Sequence, residues 1–266
     1  MRSTTRYIAL GFASVMLAAC GRKDKDAPLA FVPADTPYVI ANLEVPDDAT
    51  RTAMLAQANT QLPSQLVQLE DTATRLEKTD PDGARLLRAF AAELKGGNLE
   101  AVAQKDGIDL KGYMAIYGLG LAPVARVQLT DPKAFEAFIS RLEIAYGKKL
   151  EIATVGEQHY RRYVSARSGI EGILAVVGKQ AVVAVLPADA SPALIRQTLG
   201  LDRPQKSMQQ TDRLAELVKA KGYQKWMVGD IDLTRALPLA IGGNDPLIAA
   251  MLKSHAEAES ARTGEP

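Results

Sequence analysis

Twice in this chain, two β-rich apolar runs joined by a glycine turn lead straight into a polar residue, a proline and an amphipathic helix. Tyr113 to Leu119 reads as a strand, Gly120 to Pro123 breaks it, and Val124 to Leu129 reads as its return. Asp131-Pro132 then opens a helix with the stripe Phe135, Phe138, Ile139, Leu142 and Tyr146, closed by Gly147. The second unit pairs Ile173 to Val177 with Ala181 to Leu186 around Gly178-Lys179, where glycine first suits a type II′ turn. Ser191-Pro192 opens its helix and Gly200 closes it. Strands that return at once pair antiparallel, unlike the strand–helix alternation of a parallel sheet. The expected class is therefore α+β, a mostly antiparallel sheet of hairpin-plus-helix units with a helical segment after the first strand. The second hairpin is apolar on both faces, which places it at the sheet centre with cover on each side.

The remaining elements fit around these units. Tyr38 to Leu43 reads as a first strand. Helices follow to Gly97, with the stripe Leu62, Leu66, Leu69, Ala73 and Leu76. A second stripe, Leu86, Leu87, Phe90, Ala91 and Leu94, lies behind an Asp80-Pro81 start. A short helix follows Asn98. Glu151 to Val155 and Gln158 to Ser165 are two further strand candidates around Gly156. A helix from about Gln209 to Gly222, a strand from Lys225 to Leu233 and a last helix from Asp245-Pro246 complete the order, and the polar tail frays.

The start of the chain is different in kind. Arg2 and Arg6 form a basic region, Ile8 to Ala19 an apolar run too short to span a bilayer, and Leu17-Ala18-Ala19 precedes Cys20. Leu-Ala-Ala-Cys in this position resembles a bacterial lipobox. The resemblance implies a signal peptide over residues 1–19, cleavage before Cys20 and acylation of its thiol and new amine. Several acyl chains hold a protein on a bilayer where one alone does so marginally. Gly21, in place of the aspartate that keeps many such proteins on the inner membrane, implies the outer membrane, with the domain facing the periplasm. Residues 20–35 read as a lipidated tether, 36–241 as an α+β domain and 242–266 as a C-terminal helix and polar tail.

Cys20 is the only cysteine, so the exported domain has no disulfide or thiolate metal cage and must rely on its core. Removing Arg2 and Arg6 with the signal takes the formal charge from +1 to −1. That balance argues against a nucleic-acid partner. A further resemblance rests on Pro33-Ala34-Asp35-Thr36-Pro37-Tyr38, Leu129 to Phe135 and Gly172 to Gly178. These segments look like an uncharacterised family of bacterial envelope proteins built from strand–Asp-Pro–helix units. The family implies no catalytic residue and no cofactor.

Signatures of chemistry are sparse. Gly118-Leu119-Gly120 is followed by Pro123 where a dinucleotide fingerprint needs its third glycine, and reads as a hairpin turn. No Gly-x-Ser-x-Gly, Ser-x-x-Lys or His-Glu-x-x-His occurs, so neither a hydrolase nor a metal site is expected. His159 and His255 stand alone, and the paired acids Asp47-Asp48 and Glu70-Asp71 sit at helix flanks. The most distinctive polar stretch is His159-Tyr160-Arg161-Arg162-Tyr163. On a strand, Tyr160 and Arg162 share one face and His159, Arg161 and Tyr163 the other. Arginine on both faces suggests an edge strand, shielded from pairing by its charge. The same residues could instead form a cation–aromatic patch for an anionic glycan, lipid or protein partner. The chain is therefore expected to be a non-enzymatic envelope lipoprotein with a structural or interaction role. The alternative is a module holding an apolar or anionic small ligand between sheet and helices.

Finally, Tyr38 to Val45 aligns without gaps to Trp226 to Leu233. This suggests a second copy of the opening unit, begun at Trp226, in a two-lobed protein or one completed by a partner. Both segments should then be strands of one sheet or of equivalent position, with Leu247, Ile248 and Met251 partly exposed.

Overall fold

The computed structural model describes residues 24–95, 97–165, 168–243 and 245–263. Its strands are β1 (Tyr38–Ala41), β2 (Met114–Leu119), β3 (Ala122–Gln128), β4 (Glu151–Val155), β5 (Gln158–Val164), β6 (Ile170–Val177), β7 (Gln180–Pro187) and β8 (Val228–Ile231). Its α-helices are α1 (Asp48–Leu76), α2 (Pro81–Leu94), α3 (Leu99–Lys105), α4 (Pro132–Tyr146), α5 (Pro192–Leu199), α6 (Arg213–Lys221), α7 (Leu233–Ile241) and α8 (Pro246–Thr263). The strands form one antiparallel sheet in the order β4-β5-β6-β7-β3-β2-β1-β8. This is the α+β class expected from the hairpin-plus-helix units. Asp131 and Ser191 cap α4 and α5 with their side chains, and Gly147 and Gly200 close them in the left-handed conformation. Pro123, expected in a break, instead lies in β3 opposite Gly118. The β7 ladder starts only at Val124, so the missing N–H of Pro123 leaves no gap in it.

One face of the sheet carries the main core. Val39, Tyr117, Val124, Ile173, Val182 and Leu186 meet Leu199 of α5 and Leu214 and Val218 of α6 there. The N-terminal segment also lies on this face. Phe31 and Val32 are buried, Pro33 bridges Ser207, and the Met208 amide donates to the Val32 carbonyl at 2.7 Å. The tether assigned to residues 20–35 is therefore too long. Residues 24–26 are exposed, but Pro28 is buried, and Leu29 to Val32 is an apolar run that completes the core.

The second face is covered unevenly. α4 and α8 lie on β6 and β7, whereas α1 packs along α2, and α2 against α4. Leu62 and Ala73 of the predicted α1 stripe are buried, while much of that 29-residue helix faces solvent. The central hairpin β6–β7 is thus covered on both sides, as expected, but incompletely on this second face, because α2 rests on another helix and not on the strands.

β1 and β8 are neighbours, with Tyr38 opposite Ile231 and Ala41 opposite Val228. Both aligned segments are therefore strands of one sheet, β8 being shorter than the Lys225 to Leu233 run. α7 was not expected. Asp232 caps it, accepting from the Thr234 and Arg235 amides, and it carries Pro238 inside. No residue of α7 is buried, and Leu233, Leu237 and Ile241 form an exposed stripe beside the exposed Ile231. On α8, Leu247 is buried, Ile248 half-buried and Met251 exposed. Asp245 explains the buried end, because its carboxylate accepts from the Leu247 and Leu121 amides and ties α8 to the β2–β3 turn.

Candidate ligand groove

Where α2 stands away from the strands, a cavity of about 990 Å³ opens between the sheet and α2, α4 and α8. That is the upper end of the size range of small-molecule sites, ~300–1,000 Å³. Strand alternation builds its floor. Val182 and Ala184 of β7 face the main core, so Ala181, Val183 and Val185 face the cavity. Val183 sits on a strand paired on both sides, yet is 46% exposed. Phe90 of α2 is 40% exposed and Met251 of α8 45%, and both line the same space. Three large apolar side chains thus open onto one cavity. Gly172 lies opposite Val185 on β6 and helps by adding no side chain to the floor.

Polar groups gather where α2 begins. Asp80, the N-cap of α2, accepts from the Gly83 amide at 2.9 Å, the Tyr163 hydroxyl, and the Ser165 hydroxyl at 2.8 Å. Burial pushes its carboxyl up, but these hydrogen bonds outweigh it and hold the carboxyl below its ordinary range. Burial and the Asp80 carboxylate both push the Tyr163 hydroxyl far above its usual value. The Ser168 hydroxyl is buried at the same end with no hydrogen-bond partner among the described residues, and His255 of α8 lines the wall. Such a site can accept an apolar body and give it a few polar contacts. His159 is not part of it: its ring nitrogen Nδ1 meets Thr154 Oγ1 at 2.9 Å on the exposed surface. Among the described residues no three metal-ligating side chains gather. Nor is any described helix long and apolar enough to cross a membrane.

Cys20 lies outside the described residues. The His159 to Tyr163 stretch is β5, and β5 is not the edge: it pairs with β4 on one side and β6 on the other. The expectation that a paired strand would strand an arginine fails because carboxylates wait on both faces. Arg161 reaches Glu136 at 2.9 Å and the buried Glu143 at 3.4 Å. Arg162 reaches the buried Glu171 at 3.1 Å and Glu151 at 3.8 Å. Burial still pushes the Glu171 carboxyl up, against the pull of Arg162. Tyr160 belongs to the main core and Tyr163 to the groove. The five residues are therefore split between two faces, and both arginines are ion-paired.

Gly118-Leu119-Gly120 is the β2–β3 corner, as expected, at one wall of a second cleft of about 750 Å³ beside α5 and α7. Asp47-Asp48 stands at the N-terminal flank of α1 as expected, but Glu70-Asp71 lies inside that helix and not at a flank. Asp47 caps α1 through the Thr50 amide at 2.7 Å, Asp48 pairs with Arg51, and Glu70 pairs with Arg88 at 2.8 Å. The groove itself had no signature in the sequence, because Phe90, Val183 and Met251 look like ordinary core positions in their own elements. Comparison with protein-family models, curated proteins and solved structures found no match.

Proposed function

We propose that this chain is a lipid-anchored protein of the bacterial outer membrane, facing the periplasm, whose domain binds an apolar ligand without transforming it. The observation that carries the binding reading is the groove, in which Val183, Phe90 and Met251 remain open to one cavity of about 990 Å³. Exposed apolar surface is costly to leave in water, at roughly 25 cal/mol per Å². The aliphatic and aromatic lining favours an acyl chain or a similar long apolar body, and the paired state of Arg161 disfavours an anionic ligand at that wall. The signal, with Cys20 at its end, supports the anchor.

The test is uptake of the neutral probe N-phenyl-1-naphthylamine by the full chain carrying Cys20→Ser. Emission should rise on binding in the unaltered groove, and Val183→Lys should abolish the rise while leaving the circular dichroism spectrum unchanged. No rise with the unaltered groove refutes the reading.

A second reading, an interaction with another envelope protein, is supported by the exposed stripe Leu233, Leu237 and Ile241 beside the unpaired edge of β8. Crosslinking from Leu237 in native membranes tests it, and capture of no specific protein would remove it.

A further inference from the structure

The N-terminal segment and the groove lie on opposite faces of the same strands. Gln180 of β7 donates to the Asp26 carbonyl, while the next residue, Ala181, lines the groove. Arg126 of β3 stacks on the Phe31 ring at 3.9 Å, while the next residue, Val127, lines the groove. Consecutive residues of a strand point to opposite faces, so the two features are separated by the sheet. The segment is fastened along its length. Arg203 covers the other side of the Phe31 ring at 3.7 Å and pairs with Asp26 at 2.8 Å, and the Gln209 amide reaches the Asp24 carbonyl at 3.0 Å. From the sheet outward the order is Arg126, Phe31, Arg203.

Asp24 is therefore fixed to the outer layer of this face, only four residues after Cys20. Four residues span at most about 14 Å, since each adds ~3.3–3.6 Å. A domain on so short a leash cannot turn its far side to the bilayer, because the sheet and its helices are thicker than the slack: stacked layers alone are ~10 Å apart.

We propose that the face formed by residues 24–27, the loop 201–206 and Gln210 rests on the lipid headgroup layer, with the groove opening on the aqueous side. This rests on the reading of Cys20 as acylated. It follows that the chain's own acyl groups do not occupy the groove, and that the ligand enters and leaves from the aqueous side and not from the anchoring leaflet.

The experiment uses the acylated full chain in phosphatidylcholine vesicles containing a lipid with a headgroup nitroxide. A fluorophore is placed at Lys206→Cys, in the loop of the proposed contact face, or at Ile144→Cys, a 76% exposed position on α4 beyond the groove. Both positions are exposed, so folding is preserved. The Lys206 label should lose most of its emission to the nitroxide and the Ile144 label almost none. Equal quenching of the two labels, or stronger quenching at Ile144, overturns the proposal. Its failure is distinct from failure of the groove: quenching confined to Lys206 in a protein that takes up no N-phenyl-1-naphthylamine supports the orientation and removes the binding reading. Probe uptake with equal quenching does the reverse.

Discussion

The Tyr163 hydroxyl donates to the Asp80 carboxylate across 83 residues of sequence, joining β5 to the first turn of α2. This bond ties the start of α2 to the sheet at the polar end of the groove. Asp80 has three donors, and its carboxyl is held below its ordinary range, so its ionised form stabilises the fold. The contribution is complete above the unfolded aspartate value of about 3.9 and is lost as pH falls through the lower folded value. Asp80→Ala should cost about 1–3 kcal/mol at neutral pH, from the lost cap and the buried donors left behind. It should also flatten the acid limb of a stability-against-pH curve. Urea unfolding at several pH values reads both, and an unchanged acid limb would count against this account.

Positions on the two faces of the central hairpin should respond to truncation by unequal amounts. Ile173 is 1% exposed in the main core, so Ile173→Ala should cost about 2–5 kcal/mol. Val183 faces the groove and is already half open, so Val183→Ala should cost less than about 1 kcal/mol. Paired denaturation curves decide it. Equal losses would mean that the groove closes over Val183 in solution.

Acylation of Cys20 gives a prediction of mass and of partition. The mature N-terminus should be a modified Cys20, heavier than the peptide by its acyl groups, and Cys20→Ser should release the protein from the membrane fraction. Recovery of an unmodified amine at Gly21, or a membrane-bound Cys20→Ser protein, would contradict it. Separation of the two membranes on a density gradient tests the outer-membrane assignment that Gly21 motivates.

The sheet was legible in the sequence because its signals are local. Gly178-Lys179 and Gly156 fix turns between neighbouring strands, and Asp131-Pro132 and Ser191-Pro192 fix helix starts. What escaped was set by distant partners. Arg161 and Arg162 suggested an edge strand only because Glu143 and Glu171 cannot be assigned to them from the sequence. α7 was hidden by the Pro238 within it and by a β-rich run leading into it. The groove depends on α2 docking against α4 and not on β7, a choice that the apolar stripe of α2 does not encode.

The last prediction concerns the clasp that fixes the N-terminal segment. Arg126 is fully buried, and its guanidinium has no carboxylate among its hydrogen-bond partners. It donates to Tyr117 Oη at 3.2 Å, Gln180 Oε1 at 3.1 Å and the Thr198 carbonyl at 2.6 Å. Burial pulls its pKa down while the Tyr117 hydroxyl is pushed up, so the two do not form a true ion pair. The charge is instead held by neutral acceptors and the Phe31 ring. Gly200 allows the ring to come so close: its φ is +78°, and a Cβ there would lie 2.4 Å from Phe31. Arg126→Met would keep bulk but leave three buried acceptors without a donor, each costing up to about 1–3 kcal/mol. Phe31→Ala would empty the slot between two guanidinium groups, at about 3–5 kcal/mol. Both variants should release residues 24–33 before the sheet unfolds, because the Phe31 ring between its two guanidinium groups is the central hold on this segment, beside the Gln180 and Met208 hydrogen bonds. Hydrogen exchange should then accelerate at the Phe31 amide while the β3 and β7 amides stay protected. Loss of protection in all three together would show that the segment and the sheet unfold as one unit, and that the clasp has no separate hold on the tether.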